Sequence, residues 1–359
     1  MFDIEKLLVD VFDPEAGEHV TVTVDEPHDD VQDNPQWQER REMARQWRQA
    51  LEKLGRERGF AVGPLLRFPA TGANNAELPA RGALDGNEVD LEPTLLASTL
   101  VIAMTEYSAT APLSLLAERK QDFRAASMPG VLRRMERTAL AADYAAVARR
   151  CKAIFEAMDG AVLCDVIFST GHRCWFDLRY RQAEMDDGFL PRFKPGDRII
   201  NLPSGETFQV PYEGEKTGVP SWTAGTIPVQ EGDDIALFQI TANRVGSVEG
   251  DGRLAERYRK IFGEDRARTN IAEVAFGVND KATITGIVLE DEKAGFHWAF
   301  GRSDHLGGVT GVKAFASPET VVHQDIVYAK DNPIQVRSAV VIHPDGRRIE
   351  VIREGDYLL

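Results

Sequence analysis

The sequence has little cysteine, no long apolar run and a shortage of basic charge, and each of these features excludes a class of protein. Its 359 residues include only three cysteines, and no two of them form a C-x-x-C pair. So few thiols exclude a disulfide-rich scaffold and indicate a reducing compartment. The 42 basic residues against 57 acidic ones give a net charge of −15. Because phosphate groups are bound by basic surfaces, we expect neither nucleic acid nor an anionic membrane as a partner.

The most apolar stretch runs from Leu95 to Met104. It falls well below the roughly 18–20 residues that a membrane-spanning helix needs. The first ten residues contain several acids and lack the basic start of a signal peptide. We therefore expect a cytoplasmic protein.

The first 160 residues have the pattern of an α/β domain. Residues 17–25 alternate between apolar and polar side chains and predict a strand, and residues 60–68 predict another. Between them, Asn34 and Pro35 are typical of a helix start, and a charged helix is predicted over 36–54. This β-α-β order predicts a Rossmann-like parallel layer. No G-x-G-x-x-G follows the first strand, so we expect no dinucleotide site.

The character of the chain changes near residue 160. A buried strand is predicted within 93–105 and a long helix over 128–157, whereas the following residues form short β-type runs separated by turns. These runs cover 161–170, 173–179, 198–202 and 235–245. The sequence therefore predicts two domains, an α/β domain at 1–160 and a β-rich α+β domain at 161–359.

Carboxylates and histidines gather in four segments of the second domain. Glu206 follows a Pro-Ser-Gly turn, and Glu273 lies inside the apolar run N-I-A-E-V-A-F-G. A buried carboxylate is costly unless a cation or hydrogen bonds compensate it. His323 and Asp325 are two residues apart on a predicted strand and therefore face the same side.

The fourth segment is Thr283–Phe300, in which two apolar runs flank a turn at Gly295. We expect a hairpin here, or a strand with a tight reversal, with Glu292 and His297 on either side of the turn. Each segment alone is compatible with a solvated carboxylate or a histidine of the core. Together they offer three glutamates, one aspartate and two histidines, a suitable set for two ions of Zn, Mn or Co held about 3.5–4 Å apart.

Several of these segments resemble the aminopeptidase T family of metalloaminopeptidases. The matching stretches are N-L-P-S-G-E-T-F at 201–208, N-I-A-E-V at 270–274, G-I-V-L-E-D-E-K-A-G-F-H-W-A-F-G at 286–301, G-G at 307–308 and H-Q-D at 323–325. The N-terminal half fits that family only loosely. The resemblance implies a homodimeric hydrolase that releases the N-terminal amino acid of a small peptide by means of metal-activated water.

The resemblance also implies roles for individual residues. It implies six metal ligands, with Glu273 as the bridge between two ions: Glu206, Glu273, Glu292, His297, His323 and Asp325. Either Glu292 or Glu206 is then the general base. The family usually has a tyrosine seven residues after the histidine of its G-x-H-x-A block, where this sequence has Asp304 followed by His305. We expect His305 to act as a donor in its place, and Arg302, Asp304 and Trp298 to contact the substrate.

Two other functions are compatible with the same residues. His297, His323 and Asp325 alone would form the two-histidine, one-carboxylate triad of a mononuclear Fe(II) oxygenase. The 2,5-dihydroxypyridine dioxygenases, which resemble distant relatives of the aminopeptidase T family, use such a triad. A metal-stabilised binding protein is the non-enzymatic alternative. The additional glutamates, Glu206, Glu273 and Glu292, favour two metal ions and hydrolysis.

Overall fold

The computed structural model describes residues 2–196 and 198–359, which divide into two compact units. The first unit consists of Met1–Ala148, Asp186–Gly205 and Asn279–Lys293. The second consists of Arg149–Met185, Glu206–Val278 and Ala294–Leu359. Two later segments thus group with the N-terminal residues, and the single boundary expected near residue 160 stays a prediction.

The helices are mostly in the first unit, and no helix among the described residues has the length and apolar character to cross a membrane. They are α1 (Ile4–Phe12), α2 (Pro35–Arg58), α3 (Leu91–Leu96), α4 (Thr110–Arg119), α5 (Tyr144–Met158), α6 (Arg253–Glu264) and α7 (Val288–Asp291). The predicted N-cap of α2 is confirmed, since the Asn34 side chain accepts a hydrogen bond from the Trp37 amide at 2.8 Å.

The strands form three sheets. They are β1 (His19–Glu26), β2 (Ala61–Val62), β3 (Leu66–Pro69), β4 (Arg81–Leu84), β5 (Asn87–Asp90), β6 (Leu100–Ala103), β7 (Arg124–Ser127), β8 (Leu163–Phe168), β9 (Arg173–Asp177), β10 (Glu184–Asp186), β11 (Ile199–Asn201), β12 (Glu206–Gln209), β13 (Ala224–Glu231), β14 (Asp234–Thr241), β15 (Arg244–Glu249), β16 (Ile271–Gly277), β17 (Gly295–Gly301), β18 (His323–Ala329), β19 (Val336–Ile342), β20 (Arg348–Arg353) and β21 (Asp356–Tyr357).

The sheet of the first unit has the order β11-β7-β6-β1-β3-β4-β5, with β2 beside β1. Strands β11, β7, β6, β1 and β3 run parallel, which confirms the predicted β-α-β arrangement of β1, α2 and β3. The valines of β1 (Val20, Val22 and Val24) are buried in one core cluster with Trp47 and Leu51 of α2. A parallel sheet buried by helices is expected to have such apolar strands.

The strand order reverses between β1 and β6, the place where related folds bind nucleotides. Here the Asp25 carboxylate at the end of β1 accepts hydrogen bonds from the backbone amides of Glu106 at 2.8 and 2.9 Å and of Tyr107 at 3.3 Å. The Trp37 indole donates a further bond at 2.9 Å. The amides that follow β6 are therefore paired with a carboxylate of the chain itself.

The long helix predicted over 128–157 is wrong for its first half. Only α5 is helical there, and it starts after Asp143, whose carboxylate accepts from the amides of Ala145 and Ala146. Upstream, residues 133–137 and 139–141 form short 3-10 turns. Side chains take up the backbone groups of Ala139: Asn279 donates to its carbonyl at 3.0 Å, and Glu290 accepts from its amide at 3.3 Å. These tertiary contacts override the local helix propensity.

The hairpin predicted over Thr283–Phe300 is also wrong. Only its second half is a strand, β17, and the first half is a loop that leads into α7. The Asp291 carboxylate accepts from the amides of Thr285 at 2.6 Å and Gly286 at 2.9 Å. Because its amides bond to a nearby carboxylate, this stretch needs no strand partner.

The second unit contains two sheets. One has the order β15-β14-β13-β9-β8-β19-β20-β21 and the other has the order β10-β12-β16-β17-β18. In the second of these, β12, β16, β17 and β18 pair antiparallel, and every residue of β16 and β17 is buried. The predicted strand that carries His323 and Asp325 is confirmed as β18, and the apolar run around Glu273 forms β16. We call the sheet β10-β12-β16-β17-β18 the site sheet.

Candidate metal centre

The pairing of the site sheet places the predicted ligands on one face. Glu273 of β16 lies opposite Ala299 of β17, which lies opposite Asp325 of β18. Directly paired residues share a face, and so do residues two apart on one strand. His297 is two residues before Ala299, and His323 is two residues before Asp325. All four ligands therefore point to the same side.

Small residues leave space between these side chains. Ala299 separates Glu273 from Asp325, and Ala275 lies opposite His297. On the adjoining strand β12, Glu206 pairs with Gly277 at the end of β16. A larger side chain at either alanine would fill the space into which the carboxylates and imidazoles point.

Five of the six predicted ligands come together on this face: Glu206, Glu273, His297, His323 and Asp325. We call them the ligand cluster. Glu206, Glu273 and His297 form one group, and Glu273, His323 and Asp325 form another, in each of which the ligand atoms lie within 4.8 Å of one another. The Glu273 carboxylate belongs to both groups.

The distances within each group suit one ion. In the first, His297 Nε2 is 3.4 Å from Glu206 Oε2 and 3.8 Å from Glu273 Oε1. In the second, His323 Nε2 is 3.1 Å from Glu273 Oε2 and 3.7 Å from Asp325 Oδ1. Ligands about 2.0–2.2 Å from a tetrahedral ion lie roughly 3.3–3.6 Å from each other. The observed spacings bracket this value.

Both histidines are oriented with Nε2 toward the carboxylates. The Nδ1 atom of His297 donates to the Gly295 carbonyl at 3.2 Å, and that of His323 donates to the Arg302 carbonyl at 2.7 Å. A carbonyl oxygen only accepts, so Nδ1 carries the proton in each ring. In the neutral imidazole the Nε2 lone pair is then available to a metal, an arrangement common among histidine ligands.

The ligand cluster also contains buried polar atoms without hydrogen bonds. His297 Nε2 and Asp325 Oδ1 are both inaccessible to solvent and have no hydrogen-bond partner. Such atoms are uncommon in native proteins and call for an unseen ion or water. Together with the nitrogen and carboxylate donors, they fit a metal ion.

The electrostatics of the metal-free cluster agree with this interpretation. Burial alone would lower the pKa of both histidines, but the carboxylates of Glu206 and Glu273 raise the pKa of His297 well above its usual range, and those of Asp325 and Glu273 do the same for His323. Burial would raise the pKa of Glu273, yet the two histidines lower it. In the absence of metal, protons on the imidazoles thus balance the carboxylates.

We predict that divalent ions displace these protons. Because the raised pKa values keep His297 and His323 protonated near pH 7, metal affinity should fall as the pH decreases, by up to about tenfold per pH unit for each proton displaced. Titration calorimetry with Zn²⁺ in buffers of different ionisation enthalpy measures the protons released. An affinity that is constant between pH 5 and 8 would contradict the assignment of these histidines as ligands.

The structure places the sixth predicted ligand, Glu292, in the first unit, whereas the ligand cluster belongs to the second. Glu292 begins a short 3-10 turn after α7, and its Oε1 accepts from the Nζ atom of the fully buried Lys293 at 2.6 Å. Its role as a ligand or a base stays a prediction.

Trp298 lies on the opposite face of β17 from His297. It is fully buried, packs edge-to-face against Phe238 with ring centroids 5.8 Å apart, and donates its indole N–H to the Tyr328 hydroxyl at 3.3 Å. Its position provides packing in the aromatic core of the unit rather than a contact with the ligand cluster.

The other predicted substrate contacts lie in the loop after β17. The rings of His305 and His323 are perpendicular, with centroids 4.9 Å apart. Arg302 forms an ion pair with Asp304. Burial, then the charges of His323 and Arg302, lower the pKa of His305 to about 4, so its imidazole is neutral at physiological pH.

Sequence reasoning missed Glu213, which binds this loop. Its side chain is only 3% exposed and accepts hydrogen bonds from Ser303 and Thr310. In the sequence it stands in the charged run E-G-E-K before Gly218, a pattern typical of a solvated turn. No local signal distinguishes it.

No sequence-family model matches the chain, and neither does any curated protein sequence. Solved structures with similar folds do match it. One is 2,5-dihydroxypyridine dioxygenase from Pseudomonas putida, with a TM-score of 0.64 and 18% identity over 99% of this chain and 96% of that one. Another is wild-type AmpT from Thermus thermophilus, with a TM-score of 0.57 and 15% identity over 99% of both chains. At these identities the likeness shows a shared fold over nearly the whole length.

Proposed function

We propose that the chain is a two-metal hydrolase that acts on the amino-terminal residue of a small peptide or a related amide. The observation that supports this most strongly is the shared carboxylate of Glu273. Its Oε1 faces His297 in one group, and its Oε2 faces His323 in the other. A carboxylate in this position is suited to bridge two ions, as dinuclear hydrolytic sites require.

The residues of the site then have distinct tasks. Glu206 and His297 would complete one metal pocket, and His323 and Asp325 the other. Bound divalent ions would supply an acidified water molecule, with a pKa near 7, and an electrophile for the substrate carbonyl. Glu292 or Glu206, whichever carboxylate is not fully used as a ligand, would act as the proton acceptor. The neutral imidazole of His305 offers an N–H to the oxygen on which negative charge develops.

The type of substrate is proposed from the shared fold. The fold of AmpT (aminopeptidase T) is similar to that of this chain over nearly its whole length, which favours an aminoacyl substrate. The homodimer and the small aminoacyl partner stay predictions of the sequence.

A mononuclear iron oxygenase is the second candidate, since a 2,5-dihydroxypyridine dioxygenase shares the fold. The orphaned atoms His297 Nε2 and Asp325 Oδ1 are two of the three donors that such a centre needs. Against it, the described residues form no group in which His297, His323 and Asp325 all lie within 4.8 Å. Both groups that do form include Glu273, and one of them also includes Glu206.

We predict two divalent ions per chain and metal-dependent release of amino acids. Loading the purified protein with Zn²⁺, Mn²⁺ or Co²⁺, followed by elemental analysis, measures the content. Aminoacyl-nitroanilides and dipeptides serve as substrates, and a chelator should reduce turnover at least about 10³-fold, because water activation by the ions is lost. One iron per chain, with oxygen uptake on 2,5-dihydroxypyridine, would establish the oxygenase instead.

A further inference from the structure

Residues 302–310, which follow β17, form a loop closed on itself by backbone hydrogen bonds. The Ser303 amide donates to the Thr310 carbonyl at 2.9 Å, and the Gly308 amide donates to the Ser303 carbonyl at 3.0 Å. His305 lies within this loop, and 31% of its side chain is exposed. The loop thus presents a partly accessible imidazole next to His323.

A single carboxylate gathers the ends of the loop. Glu213 Oε1 accepts from Ser303 Oγ at 2.9 Å, from the Thr310 amide at 3.2 Å and from Thr310 Oγ1 at 2.6 Å. Its Oε2 accepts from the Val309 amide at 2.6 Å. Two donors from outside the loop complete the set, Asn270 Nδ2 at 2.9 Å and Arg181 NH2 at 3.2 Å.

The position of Gly308 shows how closely the loop is packed around this carboxylate. A Cβ atom on Gly308 would lie 2.2 Å from Ser303 Oγ and 2.9 Å from Glu213 Oε2. Both distances are far below van der Waals contact. The absence of a side chain at Gly308 is therefore a condition for the observed contacts of Glu213.

We propose that Glu213 is a positioning residue that fixes the 302–310 loop so that His305 stands beside His323 and contacts the substrate. Glu213 lies outside the ligand cluster and acts through the loop. All the contacts involved belong to the second unit. The substrate part of this inference rests on the proposed function, whereas the positioning part does not.

Glutamine at position 213 removes the negative charge and puts an amide group where an oxygen accepts. An amide nitrogen cannot accept from Val309 or Arg181, so the side chain loses the hydrogen bonds that at least one of its two oxygens accepts. Glu213→Gln should therefore leave the metal content unchanged and lower kcat roughly 10- to 100-fold, as is typical for residues that orient a reacting group. KM should change less than kcat.

The first measurement needs no activity. In the Zn²⁺-loaded full-length protein labelled with ¹³C in its seven histidines, the His323 ring resonance reports the neighbouring His305 ring. Glu213→Gln and His305→Ala should each shift this resonance, and Glu213→Gln should add no further shift in the His305→Ala background. An unchanged resonance in Glu213→Gln, or an equal shift in both backgrounds, would refute the positioning role.

The kinetic cycle tests the contact with substrate. If Glu213 acts through His305, its replacement should slow the wild type but not the His305→Ala variant, whereas independent, additive losses would show that it does not. Should the protein hydrolyse no aminoacyl compound, the proposed function fails while the resonance experiment still decides the positioning role.

Two further variants complete the design. Glu18→Gln is the matched control: Glu18 is 1% exposed and accepts from Arg124 and Thr99 in the first unit, so this change should affect stability alone. Gly308→Ala disturbs the same loop while residue 213 remains a glutamate. It should shift the His323 resonance as Glu213→Gln does. It replaces that variant if Glu213→Gln does not fold, and an unshifted resonance would again refute the proposal.

Discussion

Replacing Glu273 by glutamine should remove both metal ions and abolish turnover. One oxygen of this carboxylate lies in each ligand group, so a single substitution affects both. An amide offers one neutral oxygen and a nitrogen that cannot ligate through its protons. Without the ions, the activation of water is lost, and kcat/KM should fall at least about 10³-fold. Elemental analysis and aminoacyl-nitroanilide turnover measure the two effects.

The protein should remain folded in this experiment, because Glu273 changes by one atom and its strand keeps its backbone pairs with β12 and β17. Circular dichroism checks this. The same Glu18→Gln variant serves as the control, since it changes a buried glutamate of the other unit and should keep both ions. If Glu273→Gln bound two ions with ordinary turnover, Glu273 would not be a ligand at all.

Replacing Asp325 by asparagine should have the second-largest effect and a different signature. Asp325 belongs only to the group that contains His323, so the group of Glu206 and His297 stays complete. We expect the metal content to fall from two ions to one, with a loss of activity of roughly 10²- to 10³-fold, because one of two cooperating ions is missing. Elemental analysis across a titration of added Zn²⁺ resolves the two sites.

Glu206→Gln is the corresponding variant of the group that contains His297, and it should also retain one ion. Both single-group variants should bind one ion, and Glu273→Gln should bind none. In an iron oxygenase built on His297, His323 and Asp325, Asp325→Asn would instead lose the only ion while Glu206→Gln kept it. The pattern of metal contents therefore separates the two candidate functions without any substrate.

Much of the ligand cluster could be predicted because its signals are local. Glu273 is conspicuous as a carboxylate in an apolar strand, and His323 and Asp325 share a face through the two-residue period of a strand. The parallel layer at the N-terminus could be predicted for the same reason. The alternation of apolar and polar residues in a strand, and the helix start at Asn34 and Pro35, each depend on a few adjacent residues. The role of these residues as metal ligands stays a prediction.

The segments that could not be predicted are those whose backbone amides bond to side chains instead of to a helix or strand partner. Glu290 bonds to the Ala139 amide across 151 residues of sequence, and this contact takes part in replacing a predicted helix by short turns. The carboxylate of Asp291, only six residues from Thr285, turns a predicted strand into a loop. No window of the sequence contains both partners of the first contact, so local patterns favour the wrong element.

Glu213 illustrates the same difficulty at the site itself. It lies 90 residues before Ser303 and 97 before Thr310, and nothing in its own neighbourhood shows that it becomes buried. The importance of the alanines between the ligands could not be predicted for a different reason. Ala275 and Ala299 are ordinary members of apolar strands, and their importance depends on the pairing of three strands.

Strand β17 has one more consequence. His297 points into the ligand cluster, while Trp298 next to it points into the aromatic core, so neighbouring residues serve opposite sides of the sheet. Inserting or deleting one residue ahead of this strand would exchange the two sides, burying an imidazole among aromatic rings and pushing an indole among carboxylates. The number of residues ahead of β17 therefore determines both the geometry of the ligand cluster and the packing of the aromatic core. The strand can accept changes of side chain far more easily than a change of length.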